Sequence, residues 1–358
     1  MKTPYLKISL EKIVENTRRI ASWAGKDRVQ ILGVTKGVCG DPQVAQAMIR
    51  GGVKGLADSR IENIKQLKAY GFNLPLVLLR IPMLSEVSEV INYADISLNS
   101  QLEVISALNN EAMKKNKEHK IILMIDLGDR REGILPSQLE EKVTIINEDY
   151  SNIELLGLGT NLACFGGVLP TKENMNLLKE LTVQAENILN SKLKIISGGN
   201  SSSLPLMRVS KLPKRVNQLR IGESILLGSN LIDGGHFSEL NNDTFILGAE
   251  IVELQTKGAL PEVPQGPNAF GERVAFKKKG ERTRAILAIG RQDISPDGLT
   301  PCRLGVDIEG GSSDHLIIDI TEVKEELQVG DILEFRVNYT SLLKAVISPY
   351  VDNRYLLN

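Results

Sequence analysis

The sequence predicts an α/β chain built as a (β/α)₈ TIM barrel followed by a C-terminal β-rich domain. Three observations predict it. Short runs of Val, Ile and Leu recur through the first two-thirds of the chain, and helix-like segments separate them. The runs are continuous rather than alternating, the pattern of parallel strands covered on both faces. After that the texture changes to shorter β-rich runs broken by Gly and Pro.

Eight strands follow in order: Gln30–Val34, Val53–Ala57, Pro75–Leu79, Ala94–Leu98, Ile121–Ile125, Ile153–Leu158, Lys192–Ile196 and Gln218–Ile221. The clearest helix runs from Pro42 to Arg50, with Asp41 as N-cap, Pro42 in the first position and Gly51 as the stop. Val44, Ala47, Met48 and Ile49 form its apolar stripe. Ser100 to Leu108 and Lys172 to Leu189 are amphipathic in the same way. Eight βα units over roughly 225 residues fit a TIM barrel. An open doubly wound sheet is the alternative, but the unbroken alternation favours closure. Asp233–His236, with its Gly pair, reads as a linker, so the expected division is 1–232 for the barrel and 233–358 for the β-domain. The runs Thr244–Leu254, Thr283–Ile289, His315–Ile320 and Ile332–Val337 are the strands expected there, with Leu260–Gly271 as Gly/Pro punctuation.

Composition excludes several classes. The 358 residues carry a formal net charge of −1 and 4 % aromatic residues, so neither a nucleic acid nor a membrane surface is an expected partner. Hydrophobic residues at 42 % and charged residues at 24 % are ordinary for a globular protein. Cys39, Cys164 and Cys302 are odd in number and form no CxxC pair, so no metal site or disulfide framework is expected. Residues 1–10 lack the apolar run of a signal peptide, and a cytoplasmic, reducing location is expected.

Barrel chemistry sits at the C-terminal ends of the strands. After the first strand comes Thr35-Lys36-Gly37, and a lysine there can form a Schiff base. After the fifth comes the charged run Asp126 to Gly133, which by itself reads as a solvated loop. After the seventh and eighth come Ser197-Gly-Gly-Asn-Ser-Ser-Ser203 and Arg220-Ile-Gly-Glu-Ser224, where Gly and hydroxyl residues can cradle a phosphate. A lysine, a phosphate cradle and several arginines together suit a phosphate-bearing aldehyde, with pyridoxal 5'-phosphate the candidate.

The segments Gly33-Val-Thr-Lys-Gly-Val-Cys-Gly-Asp41, Leu79-Arg-Ile-Pro-Met83, Ile96-Ser-Leu-Asn-Ser100 and Gly159-Thr-Asn-Leu-Ala-Cys-Phe-Gly-Gly167 resemble those of alanine-racemase-type (fold type III) enzymes, with the ornithine racemase branch the nearest likeness. The resemblance implies the following roles. Lys36 joins the cofactor as an aldimine and is a catalytic base. Arg131 meets the cofactor's phenolic oxygen and the substrate. Asn161 stands where alanine racemases carry a histidine against the ring. Asn200 and Ser201, with the amides of Gly222 and Glu223, bind the phosphate, and Tyr355 completes that site. Arg220 faces the pyridine nitrogen. An arginine keeps its proton, so the ring would be a weaker electron sink and the carbanion short-lived. Asp314 matches an acid near the substrate.

One part of the pattern breaks. Ala269-Phe-Gly-Glu272 stands where a tyrosine of the partner subunit supplies the second base, and Phe270 does not titrate. Cys164, Tyr339 and His315 are substitutes, each with a bland structural alternative. Glu272, Asp293 and Asp314 are candidates to pair with a cationic substrate side chain. The resemblance thus implies a homodimeric amino-acid racemase with active sites at the interface. Ornithine is the favoured substrate, with alanine or lysine as alternatives. A decarboxylase or aldolase on the same fold, and a non-catalytic cofactor carrier, are the competing readings.

Overall fold

The computed structural model describes residues 2–25, 29–260, 265–273 and 280–356. Residues 261–264 of the Gly/Pro-rich stretch lie outside that set. Two compact units form, Leu10–Asn241 and Met1–Ser9 together with Asn242–Asn358.

Strand β1 is Tyr5–Ser9 and belongs to the second unit. The next eight strands are β2 (Gln30–Val34), β3 (Gly55–Asp58), β4 (Leu76–Leu78), β5 (Ile96–Asn99), β6 (His119–Met124), β7 (Ile153–Gly159), β8 (Ile195–Ser197) and β9 (Gln218–Ile221). They close into a parallel barrel, with Gly33 of β2 opposite Ile221 of β9. Each expected strand is therefore present, displaced by at most a few residues. Leu32, Val34, Ala57, Val77, Ile96, Leu98, Ile122, Met124 and Leu156 form one buried cluster. Along β2, β5 and β6 these are every second residue, as the two-residue period of a strand demands. On β8 and β9 that periodicity carries polar groups: Ile195 packs on the cluster, and Ser197, Gln218 and Arg220 are buried.

The helix after β2 spans Pro42–Gly51. Asp41 caps it, its Oδ1 accepting from the amides of Gln43 at 2.8 Å and Val44 at 2.9 Å. Its end differs from expectation. Gly51 is inside the helix, and Gly52, with φ 104°, is the left-handed cap. Gly51 instead allows close packing, because a Cβ there would lie 2.3 Å from Cβ of Thr17 on the helix Leu10–Trp23. Ile49 is only half-buried, while Ala45 joins the buried stripe. The helix expected from Ser100 spans Leu102–Lys114, its apolar stripe continuing through Leu108 and Ala112.

The expected linker is a hairpin. Ser229–Asn230 pairs with Gly235–His236, and Gly234 turns at φ 72°. The first unit reaches Asn241 because buried Asn16 holds it: Asn16 Oδ1 accepts from the Asn241 amide at 2.7 Å, and Asn16 Nδ2 donates to its carbonyl at 2.9 Å. Phe237 packs against Trp23 with ring centroids 5.3 Å apart. The division thus falls at 241/242 rather than 232/233.

The second unit holds an eight-stranded sheet. Its long strand Phe245–Gly258 pairs with Ile332–Val337, Glu281–Leu287 and β1. β1 was not legible as part of this domain. It lies antiparallel to the long strand, Tyr5 opposite Gly248, and parallel to Asp352–Leu356. The Tyr5 ring occupies the space a Cβ on Gly248 would need, its Cζ only 2.2 Å from that position. Among the described residues no helix is long and apolar enough to cross a membrane.

Candidate active site

Lys36 begins a short 3₁₀ turn directly after β2, and Thr35 anchors it. The Thr35 amide donates to the Ala57 carbonyl at 2.9 Å, and its hydroxyl donates to Asp58 Oδ2 at 2.7 Å. Asp58 is fully buried at the end of β3. It also accepts from Asn63 Nδ2 at 2.9 Å and the Arg60 amide at 3.0 Å. Burial pushes the Asp58 carboxyl up, against the lowering effect of these donors. The backbone carrying Lys36 is thereby fixed from the neighbouring strand.

Lys36 is exposed at the mouth. Enough protein nevertheless surrounds its ammonium that desolvation, followed by the positive charge of Arg131 and, more weakly, of Arg220, pulls its pKa below the usual lysine value. Cys164 and Asp58 act in the opposite sense. A lowered pKa enlarges the neutral, nucleophilic fraction at neutral pH.

Arg220 on β9 is wholly buried. Nη2 donates to the Thr160 carbonyl at 2.7 Å, and Nη1 donates to Ser197 Oγ. Ser197 Oγ in turn donates to Gln218 Oε1 at 2.9 Å. Burial lowers the Arg220 pKa to about 10, helped by Arg131 and opposed by Glu132. It therefore still carries its charge at neutral pH.

The turns after β8 and β9 meet. Ser201 Oγ accepts from the Ser224 amide at 3.3 Å, and the Arg220 amide donates to the Gly199 carbonyl at 3.0 Å. Asn200 Oδ1 accepts from the Ser202 amide at 2.8 Å, and its Nδ2 donates to the Leu162 carbonyl at 2.9 Å. Gly199 has φ 106°, a conformation that favours glycine. No side chain caps the turn Glu223–Leu227 that Gly222 precedes. A Cβ on Gly222 would sit 3.1 Å from Val34 Cβ, so this backbone approaches the strand that delivers Lys36. Burial raises the Glu223 pKa, while Ser229 and the charge of Lys36 lower it.

Asn161 links the two sides. Its amide oxygen accepts from Asn200 Nδ2 at 3.1 Å in one orientation. In the other it accepts from Arg131 Nη2 at 3.2 Å and Nη1 at 3.3 Å. Arg131 also pairs with Glu132 and places Nη1 2.9 Å from Cys164 Sγ. Burial works against the Arg131 charge, but Glu132 and Cys164 outweigh it and raise the pKa.

Lys36, Arg131, Asn161, Asn200, Ser201, Arg220, Gly222 and Glu223 thus share one face of the barrel unit. Tyr355 and Asp314 belong to the β-rich unit. Tyr355 lies opposite Ile8 of β1. Asp314 is exposed, accepting from Ser312 Oγ at 3.2 Å and pairing with His315 Nδ1 at 3.2 Å. In the same unit Phe270 is covered on one side by Arg291, 4.4 Å from the ring centroid, and Arg291 pairs with Glu272 at 2.9 Å. Asp293 accepts from Ser348 Oγ at 2.6 Å, and Tyr339 begins the helix Tyr339–Ile347. Sequence reasoning gave no individual role to Asp58, Asp129 or Gln218, and read Ser197 only as part of a phosphate cradle rather than as a partner of Arg220. No local signal marks them, because what distinguishes each is a distant partner.

The barrel unit thus places a lysine, two arginines and two Gly/Ser turns at one mouth of a (β/α)₈ fold. The family model described as "Alanine racemase, N-terminal domain" matches residues 8–230, and the chain belongs to this family. It is 40 % identical to the ornithine racemase of Acetoanaerobium sticklandii over 99 % of both chains. It is 36 % identical to the lysine racemase of Thermotoga maritima over 98 % of both. Among solved structures, the alanine racemase from D-cycloserine-producing Streptomyces lavendulae superposes with TM-score 0.79 at 17 % identity, covering 100 % of this chain and 98 % of that one. The alanine racemase of Bartonella henselae with covalently bound pyridoxal phosphate gives 0.75 at 21 %, covering 99 % and 100 %. At these identities the structural likeness is one of fold.

Proposed function

We propose that this chain is a pyridoxal-phosphate-dependent amino-acid racemase that favours ornithine. The observation that carries the reading is geometric: Lys36 follows β2 at the barrel mouth, where the turns after β8 and β9 meet through Ser201 and Ser224 and the backbone at Gly222 approaches Val34. The donor set fits the cofactor. Asn200, Ser201 and the backbone at Gly222 and Glu223 can hold its phosphate, and the glycine at 222 keeps that approach open beside Val34.

When bound, the group supplies a conjugated ring that withdraws electrons from the substrate's α-carbon. The residues do the rest. Lys36 Nζ, its pKa lowered chiefly by desolvation, would receive the α-proton on one face. Arg220 keeps its own proton, held by the Thr160 carbonyl and Ser197, and so does not protonate the ring nitrogen. Arg131 orients the substrate. The family resemblance gives Asp314 a role towards the substrate and Tyr355 one towards the phosphate, and a homodimer is proposed. The second base is taken from Cys164, Tyr339 or His315, since Phe270 cannot exchange a proton.

Ornithine is favoured because two relatives, 40 % and 36 % identical over 99 % and 98 % of the chain, are named for amino acids with cationic side chains. Lysine is accordingly the second reading. The test is incubation with L-ornithine and L-lysine in D₂O. Loss of optical rotation with α-deuterium uptake is expected. Carbon dioxide release instead would identify a decarboxylase, and no exchange with either substrate would remove the proposal. Sedimentation measures the expected dimer.

A further inference from the structure

The loops that follow β6 and β7 are joined by one carboxylate. Asp129 is only 1 % exposed, although it lies in a run of charged residues. Its Oδ1 accepts from the amides of Cys164 at 3.2 Å and Val168 at 3.3 Å, and its Oδ2 from that of Phe165 at 3.0 Å. Its main-chain carbonyl accepts from the Gly166 amide at 2.9 Å. A Cβ on Gly166 would lie 2.6 Å from that carbonyl oxygen, so the approach needs glycine. The Ala163 amide donates to the Val168 carbonyl at 2.8 Å and closes the loop. Two residues beyond Asp129, Arg131 presents Nη1 to Cys164 Sγ at 2.9 Å.

We infer that Asp129 is a positioning residue: it clamps the 163–168 loop so that Cys164 braces the guanidinium of Arg131 at the barrel mouth. Asp129 touches neither substrate nor cofactor and acts through Arg131. Removing the carboxylate leaves three amides without their acceptor, and a loop in that state opens. Cys164 then leaves Arg131, which loses one of its side-chain partners and keeps Glu132 and Asn161. The inference rests on the proposed role of Arg131 for its kinetic consequence, but the clamp itself does not.

The experiment uses the full chain reconstituted with pyridoxal phosphate, as wild type, Asp129→Ala and Asp129→Asn. Iodoacetamide labelling of Cys164 is followed by peptide mass spectrometry, with exposed Cys302 as internal reference. KM and kcat for ornithine are measured in parallel. Asp129→Ala is expected to accelerate Cys164 labelling about tenfold and to raise KM about tenfold, with kcat changed less than about threefold. Cys302 labelling stays constant, and Asp129→Asn, which keeps one acceptor oxygen, falls between. Unchanged Cys164 labelling overturns the inference. So does equal acceleration of both thiols, which reports general loosening, and so does faster Cys164 labelling with KM unchanged. If wild type racemises nothing, the functional proposal falls while the labelling still decides whether Asp129 holds the loop.

Discussion

Arg220 Nη2 donates to the carbonyl oxygen of Thr160 at 2.7 Å, a bond between residues 60 apart in sequence that points a buried cation across the mouth of the barrel. With Nη1 on Ser197 Oγ, the guanidinium has partners on two neighbouring strand ends. A buried charge without partners is costly, so these bonds decide whether an arginine is tolerated there at all. Ser197→Ala should destabilise the fold by about 1–3 kcal/mol, because it strands one N–H of Arg220 and the side-chain oxygen of Gln218. Urea denaturation measures this, and a loss no larger than for an exposed serine such as Ser151 would contradict it.

The proposed chemistry turns on Lys36. Lys36→Ala should abolish both racemisation and the visible absorbance gained on adding pyridoxal phosphate. Desolvation and Arg131 lower the Lys36 pKa, so its reaction with the aldehyde should reach its alkaline plateau at lower pH than that of a surface lysine. Absorbance-detected addition rates across pH 6 to 11 check the sign, and a plateau at the same pH as a surface lysine, or at a higher one, would contradict it.

A different titration controls acid stability. His119 is buried at the start of β6, 2.8 Å from Ser97 Oγ of β5, and burial pushes its pKa down to about 4, against an opposing effect of Asp95. The folded protein thus binds this proton less readily than the unfolded chain does. Stability from neutral His119 is complete above the unfolded value near pH 6.5 and is lost as the pH falls towards 4. The loss amounts to about 2 kcal/mol by pH 5 and about 3 kcal/mol by pH 4. Unfolding free energies for wild type and His119→Gln should converge as the pH drops from 7 to 4. Parallel curves would show that another group dominates acid unfolding.

Helix packing supplies a sharper mutational test. Gly51→Ala places a methyl 2.3 Å from Thr17 Cβ, so the helices Leu10–Trp23 and Pro42–Gly51 must separate. A loss of about 1–3 kcal/mol is expected, although helix propensity alone would make the change favourable. Gly71→Ala offers a control, since a Cβ there meets nothing within 4 Å. Its φ of 91° makes strain the only cost at that position.

Much of the fold was legible because it depends on local patterns. The eight barrel strands follow from continuous apolar runs, and the helix at Pro42 from its Asp41 cap. Lys36 stood out because a strand end is where a barrel displays its chemistry. The Gly/Ser turns after β8 and β9 were legible for the same reason.

By itself, then, the sequence determined the strand count, the barrel, and which residue types face its mouth. Only tertiary structure decided which charged residues lie inside. Asp126 and Asp129 share one loop and one composition, yet Asp129 is buried because backbone donors 35 to 39 residues away close over it. β1 joined the far domain because its pairing partners lie more than two hundred residues on. Gly51 became a packing contact instead of a helix stop because Thr17 stands opposite. In each case the cost of burying a polar group, or of leaving out a side chain, depends on a neighbour brought in by the fold, and no window of local sequence contains it.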